Sequence, residues 1–270
     1  MRKRFVACCA VVCALKTLAV SAESPQGEPA KKWPMVQVSK KTLKTLRSVR
    51  TSDISDALDS MGLQEHYQMD TAMRPLYTGI RFAGIAHTAQ YDVIDKRIEP
   101  MSYEEFDKRQ YGGKDPLWHE AGEWGGPDQV LVIDAKRTAA GILGSANTMS
   151  GRIKGVVGYV IDGTIRDSYE CIIQKTPGFC TVRSPAHPMG RIGPVSNNQP
   201  ITCAGVKIRP GDAIVADDDG VIVVPQEMAD EVATRAYRIQ AKDRVARRKS
   251  YEKLGLPLDE TVELSESADP

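Results

Sequence analysis

A short, largely β-branched run, Val156–Ile161, constrains the fold more than any other stretch of this sequence. A run of this kind bounded by glycines is typical of a strand covered on both faces, as in α/β proteins. It leads into Asp162-Gly163, which reads as a turn, and then to an adjacent Arg166-Asp167 pair. Because α/β proteins bind ligands beyond the carboxyl ends of such strands, this pair is the first candidate for a functional site.

The two side chains of this pair suit one kind of chemistry. An arginine presents a planar fork to a carboxylate, and an aspartate offers oxygen ligands to a hard cation. Upstream, Gly144–Asn147 predicts a turn before a helix, where backbone N–H groups bind carboxylates or phosphates. These features together predict a metal-assisted reaction on a small keto acid. A surface ion pair at Arg166-Asp167 and a simple helix cap at Gly144 are the alternative interpretations.

The other polar motifs offer weaker candidates. Asp217–Gly220 lies between two apolar runs, a pattern more typical of a hairpin turn than of a metal site. The four histidines show no ligand spacing, and no Gly-x-Ser-x-Gly elbow is present in the sequence. The basic run Arg244–Lys249 is interpreted as a solvated helix face or a contact between subunits, since no aromatic residues interleave with it.

The composition limits the possible size of the core and the kinds of partner that the chain could bind. With 270 residues, 41% of them hydrophobic, the chain is long enough for one good core. It has 36 basic and 35 acidic side chains, for a formal charge of +1. This balance predicts neither a nucleic-acid partner nor a membrane surface.

The N-terminus is expected to be a secretory signal peptide over residues 1–22. A basic start, Arg2-Lys3-Arg4, precedes an apolar run of secretory length, and Val20-Ser21-Ala22 supplies small residues for cleavage. A buried N-terminal helix is the alternative. The preferred interpretation is an exported protein, periplasmic or secreted, with no membrane association after cleavage. Cys171, Cys180 and Cys203 then remain, an odd number that implies no disulfide framework, and a bridge between Cys171 and Cys180 stays open.

Residues 23–48 are expected to be a linker, 49–254 a single domain and 255–270 an acidic tail. Within the domain, Tyr91–Gly126 breaks the periodic pattern and is interpreted as a partly helical insertion that either shapes the site or is a surface loop. A helix is predicted over Thr51–Met61 and another after Pro225. The predicted strands other than the first run are Gly79–Ala89, Val130–Asp134, Phe179–Val182, Pro200–Cys203, Val206–Arg209, Ala213–Ala216 and Val221–Val224.

Several of these motifs recur in an order that resembles the RraA-like family, whose enzyme members are 4-hydroxy-4-methyl-2-oxoglutarate/oxaloacetate class II pyruvate aldolases. TSDISDALDSMG resembles the family's first helix, GIRFAGIAHTAQ its first strand, and RIKGVVGYVID followed by DGTIRD its central strand and site. The resemblance covers most of residues 49–250. It implies an α/β domain of the swivelling β/β/α type, assembled as a homotrimer or a dimer of trimers with active sites between neighbouring subunits.

The resemblance also implies roles for particular residues. The backbone amides of Gly144, Ser145, Ala146 and Asn147 would hold the pyruvyl carboxylate of the substrate, and Arg166 would bind the same unit. Asp167 would be the one direct protein ligand of Mg²⁺, or of another divalent cation such as Mn²⁺. Arg166 and Asp167 are therefore the expected catalytic residues. The family's acidic residue from a neighbouring subunit is best matched by Asp243.

The expected function is a divalent-metal-dependent lyase. It would cleave a small 4-hydroxy-2-oxo dicarboxylate to pyruvate or decarboxylate oxaloacetate, through a metal-stabilised pyruvate enolate. The alternative is a non-catalytic binding or regulatory protein of the same family. One departure favours the alternative, because this chain has Ser145, Ala146 and Asn147 where the family's aldolases carry an acidic residue and two leucines.

Overall fold

The computed structural model describes residues 36–63, 67–94, 96, 98–111 and 125–263. The helices are α1 (Lys40–Ser48), α2 (Thr51–Asp59), α3 (Tyr103–Tyr111), α4 (Ser145–Ile153), α5 (Ser168–Ile173) and α6 (Ala229–Leu254). The strands are β1 (Arg74–Pro75), β2 (Phe82–Val93), β3 (Gln129–Asp134), β4 (Gly141–Leu143), β5 (Gly158–Ile165), β6 (Gly178–Val182), β7 (Ile192–Asn197), β8 (Ile201–Cys203), β9 (Val206–Ile208), β10 (Ala213–Asp217) and β11 (Gly220–Val224).

Within the described residues, nine of these strands form one mixed sheet. Its order is β1-β6-β5-β3-β2-β10-β11, with β4 also pairing with β5 and β7 with β2, while β8 and β9 form a separate hairpin. Strands β2, β3, β5 and β6 run parallel to one another, and β4 is parallel to β5, whereas β1, β7 and β10 pair antiparallel with this group. The carboxyl ends of the parallel strands therefore meet at one side of the sheet, called the carboxyl edge below. The predicted α/β class is confirmed.

Apolar side chains cover the sheet on both faces. One core forms around the parallel strands, where Phe82 meets Phe179 edge to face at a centroid distance of 5.7 Å. In the other core, α1, α2 and α6 pack on β10 and β11, with Leu46, Ile54 and Val232 fully buried. Each such side chain contributes about 1.5–3 kcal/mol relative to its exposed state. The helices therefore cover the sheet and leave its carboxyl edge to the loops.

The central strand is longer than predicted. Asp162-Gly163 is not a turn, because β5 continues through it to Ile165. The continuation is stabilised by β4, whose Gly141 pairs with Thr164. Arg166 is therefore the first residue beyond the strand.

The insertion begins later than Tyr91. Strand β2 continues to Val93, and Tyr91 is buried opposite Pro194 of β7. Helix α3 confirms that the segment is partly helical, while residues 112–124 lie outside the described part of the chain.

The predicted linker is wrong over its last nine residues, which form α1. The Ser39 hydroxyl accepts a hydrogen bond from the Thr42 amide at 3.0 Å, and Leu43 and Leu46 are buried against the core. The predicted signal peptide and residues 23–35 lie outside the described residues. At the other end, 255–263 folds back along α6, where Val262 is buried and Arg247 donates to the Thr261 carbonyl at 2.7 Å.

The predicted hairpin turn Asp217–Gly220 is confirmed, because it joins the antiparallel strands β10 and β11. Two of its acidic side chains accept hydrogen bonds from neighbouring elements. Asp217 accepts hydrogen bonds from the amide and hydroxyl of Thr51 at the start of α2, and Asp218 accepts from the amide of Gly79. No helix in the described ranges is both long enough and apolar enough to cross a membrane.

Candidate active site

One corner of the carboxyl edge carries the predicted site residues. Strand β4 ends at Leu143 directly before Gly144, and β5 ends at Ile165 directly before Arg166. The Arg166 amide donates to the Leu143 carbonyl at 2.8 Å, which ties the two strand ends together. The sheet itself therefore places the Gly144 turn beside the Arg166-Asp167 pair.

Asp167 reaches the start of helix α4. Its Oδ2 accepts a hydrogen bond from the Ser145 amide at 3.1 Å, and the N-cap residue Gly144 has no side chain of its own to cap the helix. Gly144 is needed here for space, because a Cβ at this position would overlap Oδ2 and lie 3.3 Å from Cγ of Asp167. The carboxylate thus satisfies one of the unpaired amides that begin a helix, where the helix dipole favours negative charge.

Arg166 lies across a second glycine. A Cβ at Gly141 would come within 2.5 Å of Cδ and 2.9 Å of Cγ of Arg166, so the arginine stem runs directly over the Gly141 backbone. Arg166 Nε faces Oδ1 of Asp167 at 3.4 Å. The side chains of Arg166 and Asp167 are 26% and 36% exposed, so both remain accessible to a ligand from solvent.

Asp167 adopts a left-handed backbone conformation, with φ 55° and ψ 40°. Such angles are uncommon for residues other than glycine, although Asp and Asn are enriched among the exceptions. The conformation occurs directly between the end of β5 and the start of α5. It directs the carboxylate back toward Gly144.

Buried residues hold α4 in place beneath this corner. The Tyr159 hydroxyl donates to the Thr148 carbonyl at 2.5 Å, and Gly151 leaves the space that the tyrosine ring needs. Burial raises the pKa of Tyr159, so the phenol keeps the proton it donates. Burial likewise raises the pKa of Cys171, whose thiol faces the Arg166 carbonyl at 3.7 Å. These contacts fix the direction from which the α4 amides face the site.

The donor set fits a cation with one protein ligand. The described residues contain no group of three or more His, Cys, Asp or Glu side chains able to hold a metal ion. Asp167 accepts one hydrogen bond on each oxygen, whereas a carboxylate has about four lone-pair positions. Mg²⁺ commonly binds through one or two carboxylates and keeps several waters. Asp167 therefore suits a cation of this kind, which needs one protein carboxylate and not a full set of protein ligands.

The structure brings together some of the predicted site residues and leaves one apart. Gly144, Ser145, Arg166 and Asp167 share the corner; Ala146 is exposed in the first turn of α4 and Asn147 is half-buried beside it. Asp243 lies on α6, where its Oδ2 accepts from Arg50 at 2.7 Å. It belongs to a different part of the same subunit.

Two contributors were missed in the sequence. Gly141 gives Arg166 its path, and the Ala186 carbonyl accepts from the Gly141 amide at 2.9 Å. The only signal for Gly141 was a glycine at the start of a three-residue apolar run, which does not by itself predict a close approach. Nothing local marks Ala186, because its contact joins parts of the chain that are far apart in sequence.

A buried acidic pair nearby serves the fold. Asp134 and Asp162 face each other in register on β3 and β5. Asp162 accepts from the Ala204 amide at 2.9 Å and the Thr181 hydroxyl at 3.0 Å, and Asp134 pairs with Lys136 at 2.5 Å. Satisfied buried carboxylates of this kind stabilise the loops around the edge.

The chain is similar to proteins of one family. A sequence model of the RraA-like family, described as aldolase/RraA, matches residues 51–223. A Halalkalibacterium halodurans protein provisionally named a 4-hydroxy-4-methyl-2-oxoglutarate aldolase is 41% identical over 128 residues, which are 45% of this chain and 58% of that protein. Legionella pneumophila protein DlpA is 27% identical over 186 residues, 68% of this chain but 28% of its own length. The match thus spans less than two thirds of either relative.

Solved structures agree with the sequence match. Streptomyces coelicolor RraAS2, described as an unusual member of the RNase ES inhibitor RraA family, superposes with a TM-score of 0.64 at 26% identity, covering 79% of this chain and 99% of that one. A Pseudomonas syringae protein of undescribed function superposes with a TM-score of 0.63 at 25% identity, covering 84% and 100%. The chain therefore belongs to the RraA-like aldolase/RraA family.

Proposed function

We propose that this protein is a divalent-metal-dependent lyase that forms pyruvate. Its substrate class would be small 4-hydroxy-2-oxo dicarboxylates of the 4-hydroxy-4-methyl-2-oxoglutarate type, with oxaloacetate decarboxylation as a second activity. One observation carries the proposal: Asp167, Arg166 and the first amides of α4 converge on a single accessible corner of the carboxyl edge. The name of the H. halodurans relative supports the same reaction class.

Each group has a task that suits its chemistry. Arg166 faces Asp167 through Nε, and its two terminal nitrogens form the fork that would bind the substrate carboxylate. The amides of Ala146 and Asn147 in the first turn of α4 would donate to the same carboxylate, since the first helical N–H groups lack partners within the helix. Backbone donors do not depend on side-chain identity, so the absence of the family's acidic residue at Ser145 leaves this role intact.

Asp167 would hold the cation, which when bound supplies Lewis-acid stabilisation of negative charge at the keto oxygen. The substrate's C4 hydroxyl would give its proton to solvent water, and the C3–C4 bond would then break so that C4 leaves as the keto carbon of a second 2-oxo acid. The electron pair of that bond would move into a pyruvate enolate, which solvent water would protonate at C3. Arg166 would stabilise this enolate because its positive charge is fixed before the reaction begins. In oxaloacetate the same electron pair is released by loss of CO₂.

The test is pyruvate release from 4-hydroxy-4-methyl-2-oxoglutarate and from oxaloacetate, with Mg²⁺, with Mn²⁺ and with EDTA. We expect activity that EDTA abolishes and that Asp167→Ala and Arg166→Ala lower at least a hundredfold. Asp219→Asn is the matched control, since it removes an exposed carboxylate at the β10–β11 turn. Activity indifferent to EDTA and to Asp167→Ala would eliminate the proposed chemistry.

We also propose that the protein acts as a homotrimer or a dimer of trimers, in which Asp243 faces a neighbour's site. Helices α4 and α5 flank the site and expose Ile153 (85%), Tyr169 (75%) and Ile173 (61%), an apolar surface that association would bury. Ile153→Glu with Ile173→Glu should yield monomers by light scattering, and Asp243→Ala should lower activity without altering assembly. A wild-type chain that is monomeric at micromolar concentration would contradict this.

An alternative function is regulation without catalysis. It is favoured by the likeness to S. coelicolor RraAS2, a protein described as belonging to an inhibitor family, and by the missing acid at Ser145. A protein that binds pyruvate in calorimetry yet releases none from either substrate would support it.

We propose that the protein is exported from the cytoplasm, because its N-terminus has a basic start followed by an apolar run. Cell fractionation, with N-terminal sequencing of the mature chain, tests this localisation.

A further inference from the structure

The segment between β2 and β3 leaves the sheet at the carboxyl edge, where the candidate active site also lies. Strands β2 and β3 are parallel, so the chain that follows Val93 starts at the same edge as Gly144 and Arg166. Loops at this edge of parallel sheets commonly carry function. Its described part, residues 94, 96 and 98–111 with helix α3, makes two contacts with one other loop of the edge.

The first contact fixes the root of the segment. The Lys96 amide donates to the Gly190 carbonyl at 2.6 Å, and the Ile94 amide donates to the Arg191 carbonyl at 3.0 Å. Gly190 has a φ of 73°, and a Cβ there would overlap the Lys96 carbonyl oxygen. The backbone of the segment and that of the loop following β6 therefore approach too closely for any side chain at position 190.

The second contact fixes helix α3. Phe106 is half-buried and packs on His187 with ring centroids 5.5 Å apart. His187 is itself held, because its Nδ1 accepts from the Met189 amide at 3.1 Å and its carbonyl accepts from Arg191 at 2.7 Å. Helix α3 thus packs on a turn that two hydrogen bonds hold at His187.

That turn reaches the site through one residue. The Ala186 carbonyl, adjacent to His187, accepts from the Gly141 amide at 2.9 Å. The Arg166 stem lies across Gly141 so closely that a Cβ there would be 2.5 Å from Cδ. A shift of the turn would therefore move the backbone on which Arg166 rests.

We infer that Phe106 of α3 is a positioning residue for Arg166, acting through His187, Ala186 and Gly141. The inference rests on the proposed function and deepens it: helix α3, through Phe106, sets the affinity of the site for the substrate carboxylate. Asp167 has a further anchor that Arg166 lacks, since its Oδ2 accepts from the Ser145 amide at 3.1 Å beside Gly144, so its cation affinity depends less on α3 than the carboxylate affinity does. Binding of carboxylate and binding of cation should consequently respond differently to one substitution.

The experiment measures both affinities on Phe106→Ala by calorimetry, with pyruvate in the presence of Mg²⁺ and with Mn²⁺ alone. We expect pyruvate to bind about tenfold more weakly and Mn²⁺ to bind within twofold of the wild type. In the lyase assay KM should rise more than kcat falls. Phe106→Tyr retains the ring contact and should behave as wild type. Tyr103→Ala, at an exposed position one turn earlier on α3, is the matched control.

Arg166→Ala in the same calorimetry separates two failures. If Arg166→Ala weakens pyruvate binding and Phe106→Ala does not, the positioning role is wrong and the proposed function stands. If Arg166→Ala has no effect, the carboxylate site itself is wrong. Equal losses of pyruvate and Mn²⁺ affinity in Phe106→Ala would also overturn the inference, as they indicate general disruption. Should Phe106→Ala fail to fold by circular dichroism, Phe106→Leu undergoes the same comparison.

Discussion

Gly144→Ala is the smallest change that tests the site, because it adds one methyl group where Asp167 lies. The Gly144 backbone is extended, with φ −124° and ψ −177°, so alanine is tolerated there without strain. The new Cβ would nevertheless overlap Oδ2 and stand 3.3 Å from Cγ of Asp167. The carboxylate has to retreat by roughly 1 Å to restore an ordinary van der Waals separation.

The magnitude follows from what that retreat breaks. Replacing glycine by alanine at a helix N-cap costs about 1 kcal/mol. Losing the Ser145 amide bond to a partly exposed carboxylate costs about another 1 kcal/mol after discounting for solvent. The melting temperature should therefore fall by only about 4–8 °C. Activity should fall far more, by about a hundredfold, since a 1 Å misplacement of a catalytic group costs that much.

The assay is pyruvate release across a Mg²⁺ titration, together with a thermal melt of the same sample. Gly126→Ala is the control, because a Cβ there meets nothing closer than Gln129 Oε1 at 3.9 Å. The double variant with Asp167→Ala should be no less active than Asp167→Ala alone, as both changes act on one group. A Gly144→Ala variant with wild-type turnover and Mg²⁺ dependence would refute the proposed role of Asp167.

Three further predictions concern stability. Arg50→Ala leaves the buried Asp53 without its guanidinium partner and should lower the free energy of unfolding, measured in urea, by about 2 kcal/mol. Arg50→Lys should have an intermediate effect. An unchanged urea midpoint in Arg50→Ala would contradict the pairing. Val262→Asp should detach residues 255–263 from α6 and speed amide exchange in its last turns, and unaltered exchange would show that the contact is dispensable. Burial raises the pKa of Cys203 and raises that of Tyr91 to about 12, so both keep their protons when folded. The free energy of unfolding should thus be at its full value below the thiol's unfolded pKa of about 8.5 and should fall as pH rises above it. The fall should be less steep in Cys203→Ala. A urea midpoint that stays constant up to about pH 10.5 would contradict this prediction.

The apolar strands were predictable because their pattern is local. Val130–Asp134 and the β10–β11 hairpin are short β-branched runs bounded by turn residues, and they fold where that pattern places them. Helix α1 was also readable, since Ser39 precedes Leu43 and Leu46 at helical spacing, but the proline-rich stretch before it favoured a linker.

Other elements depend on partners that no local pattern reveals. Strand β7 contains Pro194, which lowers its strand propensity, and it forms because it pairs with the end of β2 about 100 residues earlier. Asp162-Gly163 has the composition of a turn, yet β4 pairs alongside and keeps it extended. In both cases tertiary pairing overrides local propensity. The same holds at the site: the Arg166-Asp167 pair was visible in sequence, whereas its support by Gly141 and Ala186 was not.

The backbone of Asp167 links the fold to the proposed chemistry. A left-handed conformation outside glycine costs of order 1 kcal/mol and persists only where the surroundings impose it. The imposing contacts here are the Arg166 amide bond to Leu143 and the start of α5 at Ser168. A relaxed extended residue at this position would carry its carboxylate away from Gly144, because the left-handed turn is what reverses the direction of the chain. The strain therefore supports the proposed site, because it keeps a half-exposed carboxylate against the first amides of α4, in the position from which Asp167 would hold the proposed cation.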